Sequence, residues 1–203
     1  MNQTKCAHFR MDFRPFLPFR IHRTVSDRQQ GESLGNVDRQ SLGPKLSMVQ
    51  FEDFLAAWRA NQSISLELLG LCADDDFELK PGKGKTIRSN FTHLVSVRKM
   101  WCEESLAKRA AEIPKLDWKS ATREEIIGGL RISSEIMEAL LEKKWTSEKQ
   151  TRFPLPLFLA YVIAHEAHHR SQIEIALRIN GREPDDKALY GLWEWSRKVG
   201  DTF

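Results

Sequence analysis

The sequence predicts an all-α fold, an antiparallel four-helix bundle (residues 48–203) with a short C-terminal helix, preceded by a disordered N-terminal extension (1–47). Three observations predict it. Beyond Met48, four segments carry apolar residues at helical spacing. Connectors rich in Gly, Pro, Asp and Lys separate them. No run of alternating strand residues intervenes, so four helices with short links make an antiparallel bundle the default.

The extension stands apart by composition. The stretch MDFRPFLPFRIHRTVSDRQQGESLGNVDRQSLGPKL has no sustained period, and residues 1–47 carry eight Lys/Arg against four Asp/Glu. Such a segment has too little apolar surface to offset the entropy of ordering. Its basic start lacks the apolar stretch of a secretory signal, and Asp12, Asp27, Glu32 and Asp38 count against a transit peptide.

The first helix, MVQFEDFLAAWRANQSISLELLGL, aligns Phe51, Leu55, Trp58 and Leu69 in one stripe. ADDDFELKPGKGK breaks it. Although PGKGKT resembles a phosphate loop, Leu79 stands where that pattern requires glycine and no strand precedes it, so a loop with solvated lysines is expected. The second helix, TIRSNFTHLVSVRKMWCEESLAKRA, places Asn90, Leu94, Val97, Met100 and Trp101 on its inner side, with His93 among them. Cys102 falls about 180° away on the wheel and is not expected to join a site. Thr122 and Glu125 form a capping box ahead of Ile126, Leu130, Met137 and Leu141 of the third helix. The fourth starts near Pro156 and stops at Asn180-Gly181. PDDKALYGLWEWSRK makes a last short helix, with Asp185 and Asp186 at its positive end. Tyr190, Trp193 and Trp195 suit closure of the bundle's end better than a substrate wall.

The balance of charge narrows the function. Residues beyond 47 carry 23 Lys/Arg against 24 Asp/Glu, which argues against a phosphate-binding surface and so against a nucleic-acid partner. The 41% hydrophobic and 29% charged content is that of a soluble globular protein. No apolar run reaches the roughly eighteen residues a membrane helix needs. Cys6, Cys72 and Cys102 are odd in number and unpaired in spacing, which suggests a reducing compartment, taken as the cytoplasm. A bundle with an apolar edge is open to forming a homodimer.

The fourth helix contains AYVIAHEAHHRSQIEIAL, with three histidines in five positions. At about 100° per residue, Phe158, Val162, Ile173 and Ala176 define its inner face, and His165 and His169 fall there within about 40° of each other. His168 lies at the edge of the stripe, while Arg170, Glu174 and Arg178 face solvent on the same wheel. A single inward histidine is ordinarily a packed core residue. Two at i, i+4 bring four ring nitrogens that all need partners, which favours a shared metal. His8 and His22 lie in the extension, leaving His93 as the inward histidine of a second helix. Imidazoles from two helices are how bundle cores build metal sites. Three of them with open positions suit zinc or nickel first and ferrous iron next, rather than magnesium or calcium.

The same residues admit another reading. His165, Glu166 and His169 spell H-E-x-x-H, in which Glu166 would act as general base of a zinc hydrolase and Glu194 would be the third ligand. Against it, the chain offers no strand to align a peptide, and Glu166 lies about 80° off the wheel's inner centre, where a flank residue makes surface contacts. Gln172 shares the face and is a candidate partner for an imidazole or a substrate, or simply a solvated amide.

NFTHLVSVRKMWCE, then VIAHEAHHRSQIEIALRINGREPDD, then LWEW resemble the DinB/YfiT-like superfamily of four-helix metalloproteins. That pattern has a His on the second helix, H-x-x-x-H-R-G-Q on the fourth and a late Trp-rich stretch. The resemblance covers residues 48–200 and departs at Ser171, where the pattern has glycine. It implies that His93, His165 and His169 bind a divalent metal. It further implies a metal-dependent enzyme, a transferase acting on a small-molecule substrate through a metal-bound low-molecular-weight thiol or water. A non-catalytic bundle, in which the metal is structural or sensed, is the alternative.

Overall fold

The computed structural model describes residues 49–149 and 153–199. The expected disordered extension, with Cys6, His8 and His22, lies outside them. Four long helices make the fold: α1 (Phe51–Leu71), α2 (Ile87–Ala110), α3 (Arg123–Trp145) and α4 (Leu155–Ile179). Two short ones follow, α5 (Asp186–Gly191) and α6 (Trp195–Lys198), and among the described residues there is no strand. The all-α bundle expected from the periodicity is what forms.

Local chemistry sets the ends. Thr86 Oγ1 accepts from the Ser89 backbone N–H at 3.1 Å to cap α2. At α3, Thr122 Oγ1 accepts from Glu125 N–H and the Glu125 carboxylate accepts from Thr122 N–H, which is the capping box read from the sequence. Pro156 sits in the first turn of α4, where its missing N–H costs nothing. Beyond α4, Gly181 takes φ +68° and two bonds close a Schellman turn, Gly181 N–H to Arg178 O and Arg182 N–H to Leu177 O.

Cross-helix contacts fix the directions. Trp58 meets Ser134 and Arg123 meets Leu69, so α1 and α3 are antiparallel. Asn90 meets His169 and Trp101 meets Phe158, so α2 and α4 are antiparallel too. Arg88 meets Ala121 and Lys143 meets Ser105, which makes α2 and α3 parallel. Asn61 meets Glu166 and Ser65 meets Arg170, which does the same for α1 and α4. Two helices thus run each way, and a parallel neighbour can only be reached by a crossover. Residues 111–122 supply it by running back along α2: Lys99 Nζ donates to Ile113 O, Leu116 and Val95 both pack over Gly129, and Ala121 arrives beside Arg88. An extended chain of that length reaches about 40 Å, enough to return along a helix of about 36 Å.

The core follows the predicted stripes. Trp58, Leu69, Leu94, Ile126, Leu130, Met137, Leu141, Phe158, Val162, Ile173 and Ala176 are all buried. Five expectations need correction. Met100 is half exposed, because the inner side of α2 rotates toward Arg98, which is buried instead. Arg170 is buried rather than solvated, and so is Glu166, for a reason given below. The single terminal helix is two, because Glu194 leaves helical geometry at φ −78°, ψ 62°. That bend packs Trp195 against the core and buries Lys198, whose ammonium pairs with Glu67 of α1. Trp193 and Tyr190 remain exposed and do not close the core.

Cys72 and Cys102 are buried and free. Burial pushes the Cys72 thiol up to about 12 and the Cys102 thiol up to about 11. Because the thiolate is the nucleophile, native protein at about pH 8 is expected to leave both unlabelled by iodoacetamide, while guanidinium-unfolded protein labels fully. Peptide mass mapping reads this out, and native labelling at either residue would contradict the burial.

Candidate metal centre

His93 of α2 and His165 and His169 of α4 meet in one cluster. Their ring centroids are 5.6 Å (His93–His165), 4.5 Å (His93–His169) and 4.7 Å (His165–His169) apart. One nitrogen of each lies within 4.8 Å of the others, so the three could hold a metal ion. His93 and His165 are partly exposed and His169 is buried, so the cluster opens to solvent on one side. Metal–imidazole bonds of about 2.0–2.1 Å would draw the nitrogens closer together.

The rings are prepared as neutral donors. Burial, aided by the nearby Lys85 ammonium and by His165, lowers His93 to about 4. Burial and the other two rings lower His169 to about 3. Burial lowers His165 as well, although the Glu166 carboxylate pulls the other way. A neutral imidazole is the form that coordinates a metal.

Asn90 fixes the tautomer of one of them. Its Nδ2 donates to the carbonyls of Thr86 (3.0 Å) and Lys85 (3.4 Å), which leaves Oδ1 to face His169 Nδ1 at 2.9 Å. An amide oxygen only accepts, so Nδ1 carries the proton and Nε2 keeps its lone pair for a ligand. The sequence placed Asn90 on the inner side of α2 without this role. Gln172, the partner considered from the sequence, is only half-buried. His168 is exposed, its ring centroid 5.2 Å from that of His169, and it stands outside the three-ring group.

Glu166 belongs to a different assembly. Its carboxylate accepts from Arg98 Nε (2.7 Å) and Nη2 (2.8 Å) and from Asn61 Nδ2 (2.7 Å), with Arg170 Nη1 at 3.7 Å. Arg98 Nη1 also donates to Gln62 Oε1, Leu130 O and Ser133 Oγ, and its guanidinium lies 4.8 Å from the Trp58 ring centre. Burial alone would raise the Glu166 pKa, but the Arg98 charge and hydrogen bonds outweigh it and hold the carboxyl below its usual range. A carboxylate so engaged is tied into the Arg98 network, both its oxygens accepting from Arg98, and not left free beside the rings as a general base. The H-E-x-x-H reading also loses its third ligand, because Glu194 is exposed and pairs with Arg197 at 3.0 Å.

The family model described as DinB family matches residues 47–197, which is most of the chain and spans all three rings. The chain belongs to the DinB family. No curated protein matches it, and no solved structure does. Against the DinB-like pattern, Ser171 replaces a glycine at an exposed position, where its hydroxyl donates back to the carbonyls of Ala167 and His168. No neighbouring helix needs the space, so the departure leaves the ring cluster untouched.

Proposed function

We propose that this DinB-family chain is a divalent-metal-dependent enzyme, a transferase acting on a small-molecule substrate such as a low-molecular-weight thiol, with His93, His165 and His169 as the ligands. The observation that carries the reading is the convergence of three neutral imidazoles from two helices at a site open to solvent. Zinc or nickel suits the all-nitrogen donor set, with iron next. When bound, the ion supplies Lewis acidity that lowers the pKa of a coordinated thiol or water. The chain's own residues hold the rings: Asn90 orients His169, Tyr161 lies parallel to His165 at 6.2 Å, and α2 presents His93 from across the bundle. A cytoplasmic home and a homodimer belong to the same proposal, with no nucleic-acid or membrane partner.

The non-catalytic alternative would use the ion to clamp the helices. The buried Arg98–Glu166 pair already ties α2 to α4 close by, which weakens the need for a clamp. Untagged protein purified without chelators is therefore expected to carry about one divalent ion per chain, to lose it to a strong chelator and to keep its helical circular dichroism. Under about 0.1 ion per chain, with no uptake on adding zinc or nickel, would sink the metal reading. Collapse of the fold on stripping would favour the clamp.

A further inference from the structure

Beside His93, between α2 and the returning crossover, lies a cavity of about 420 Å³. Lys85, Ser89, Thr92, Ser96, Leu116 and Trp118 line it with His93, and none of these is a carboxylate. Its size lies in the range of small-molecule sites. A larger cavity of about 530 Å³ between α1 and α3 lies away from the rings, and its Arg59 and Glu138 already satisfy each other at 2.6 Å.

The polar lining beside His93 is selective. Thr92 and Ser96 spend their hydroxyl protons on the carbonyls of Arg88 and Thr92, one helical turn back. Lys85 remains as the charged donor, exposed at the cavity and near enough for its charge to act on all three rings. Its backbone is tied to the cluster, because the amide that receives His169 Nδ1 also donates to the Lys85 carbonyl. On the other wall, Trp118 is 55% exposed, and Lys119 Nζ lies 4.9 Å from its ring centre. An exposed indole next to Leu116 and flanked by a second cation is a platform for a flat ligand of negative charge.

We propose that this cavity is the substrate subsite of the ring cluster and that it selects a small anionic ligand, a carboxylate on a flat apolar body, with the carboxylate against Lys85 and the body on Trp118. The inference rests on the metal reading for how the ligand's other end is held. Cobalt(II)-loaded full-length protein, titrated with 4-mercaptobenzoate and with 4-mercaptobenzamide while thiolate-to-cobalt absorption is followed, tests it. The para geometry keeps the carboxylate from chelating the ion itself.

The acid is expected to bind about tenfold tighter than the amide, the size of one charge-assisted contact. Lys85→Gln is expected to bring that ratio to about one, and because a ratio is read, any change in metal affinity cancels. Trp118→Ala is expected to weaken both probes several-fold and to leave the ratio alone. Equal affinities in the wild type, or a preference that survives Lys85→Gln, overturn the subsite while leaving the metal reading intact. Failure to take up cobalt at all overturns the metal reading, and the subsite with it.

Discussion

Replacing Arg98 with alanine is expected to cost about 3–5 kcal/mol of folding stability, the penalty for leaving a buried carboxylate without its counter-charge. Arg98 and Glu166 are 2% and 4% exposed, and all three guanidinium nitrogens are engaged, so the substitution strips donors from buried acceptors on α1, α3 and α4 together. Asn61 would be left as the principal donor to Glu166, with Arg170 no nearer than 3.7 Å. The triple variant Arg98→Met/Glu166→Leu/Arg170→Met is expected to recover part of the loss, since it removes all three buried charges instead of orphaning one. The exposed pair Arg178–Glu183 provides the contrast: Arg178→Ala there should change stability by less than about 0.5 kcal/mol. Guanidinium unfolding at neutral pH measures all three. A cost below about 1 kcal/mol for Arg98→Ala would mean that the network is not held together by charge.

Removing the His93 ring is expected to lower affinity for zinc by about two orders of magnitude or more, with helical content kept. The remaining ligands, His165 and His169, sit one turn apart on α4, and a lone i, i+4 pair leaves most positions on the ion to water. Because His93 is only partly buried, His93→Ala opens no closed cavity in the core. Asn90→Leu provides a graded companion. It keeps every ligand but strips His169 Nδ1 of its acceptor, and it should cost about 10–100-fold. Competition against a chromogenic chelator gives both constants. Wild-type affinity in His93→Ala would show that any ion held by α4 does not use α2.

The bundle and the ring cluster were legible in the sequence because both follow from the angular position of single residues on one helix. Phe158, Val162 and Ile173 marked the inner face of α4, and His165 and His169 came with it; His93 followed from the inner face of α2. The Arg98–Glu166 core was not legible for the same reason. A wheel drawn for one helix sends a charge to the solvent side, and the partner that makes burial tolerable stands 68 residues away. A hint was present in ANQSIS of α1, where Asn61, Gln62, Ser63 and Ser65 are all buried at the level of the two arginines. The exposed Trp193 failed for a different reason: aromatic content predicts burial only where an element packs over it, and the bend at Glu194 carries α6 elsewhere. The parallel course of α2 and α3 lay beyond helix periodicity, since residues 111–122 read as a plain connector until their contacts with Lys99, Gly129 and Arg88 are known.

The polar core also bears on how the molecule comes together. Arg98 comes from α2, Glu166 from α4, Asn61 and Gln62 from α1, and Ser133 with the Leu130 carbonyl from α3. Docking α2 or α4 on one neighbour alone would strip water from a formal charge before its remaining partners arrived. Dehydration is therefore repaid only when the fourth wall closes, so half-assembled pairs gain little and the helices are driven to consolidate in a single cooperative event.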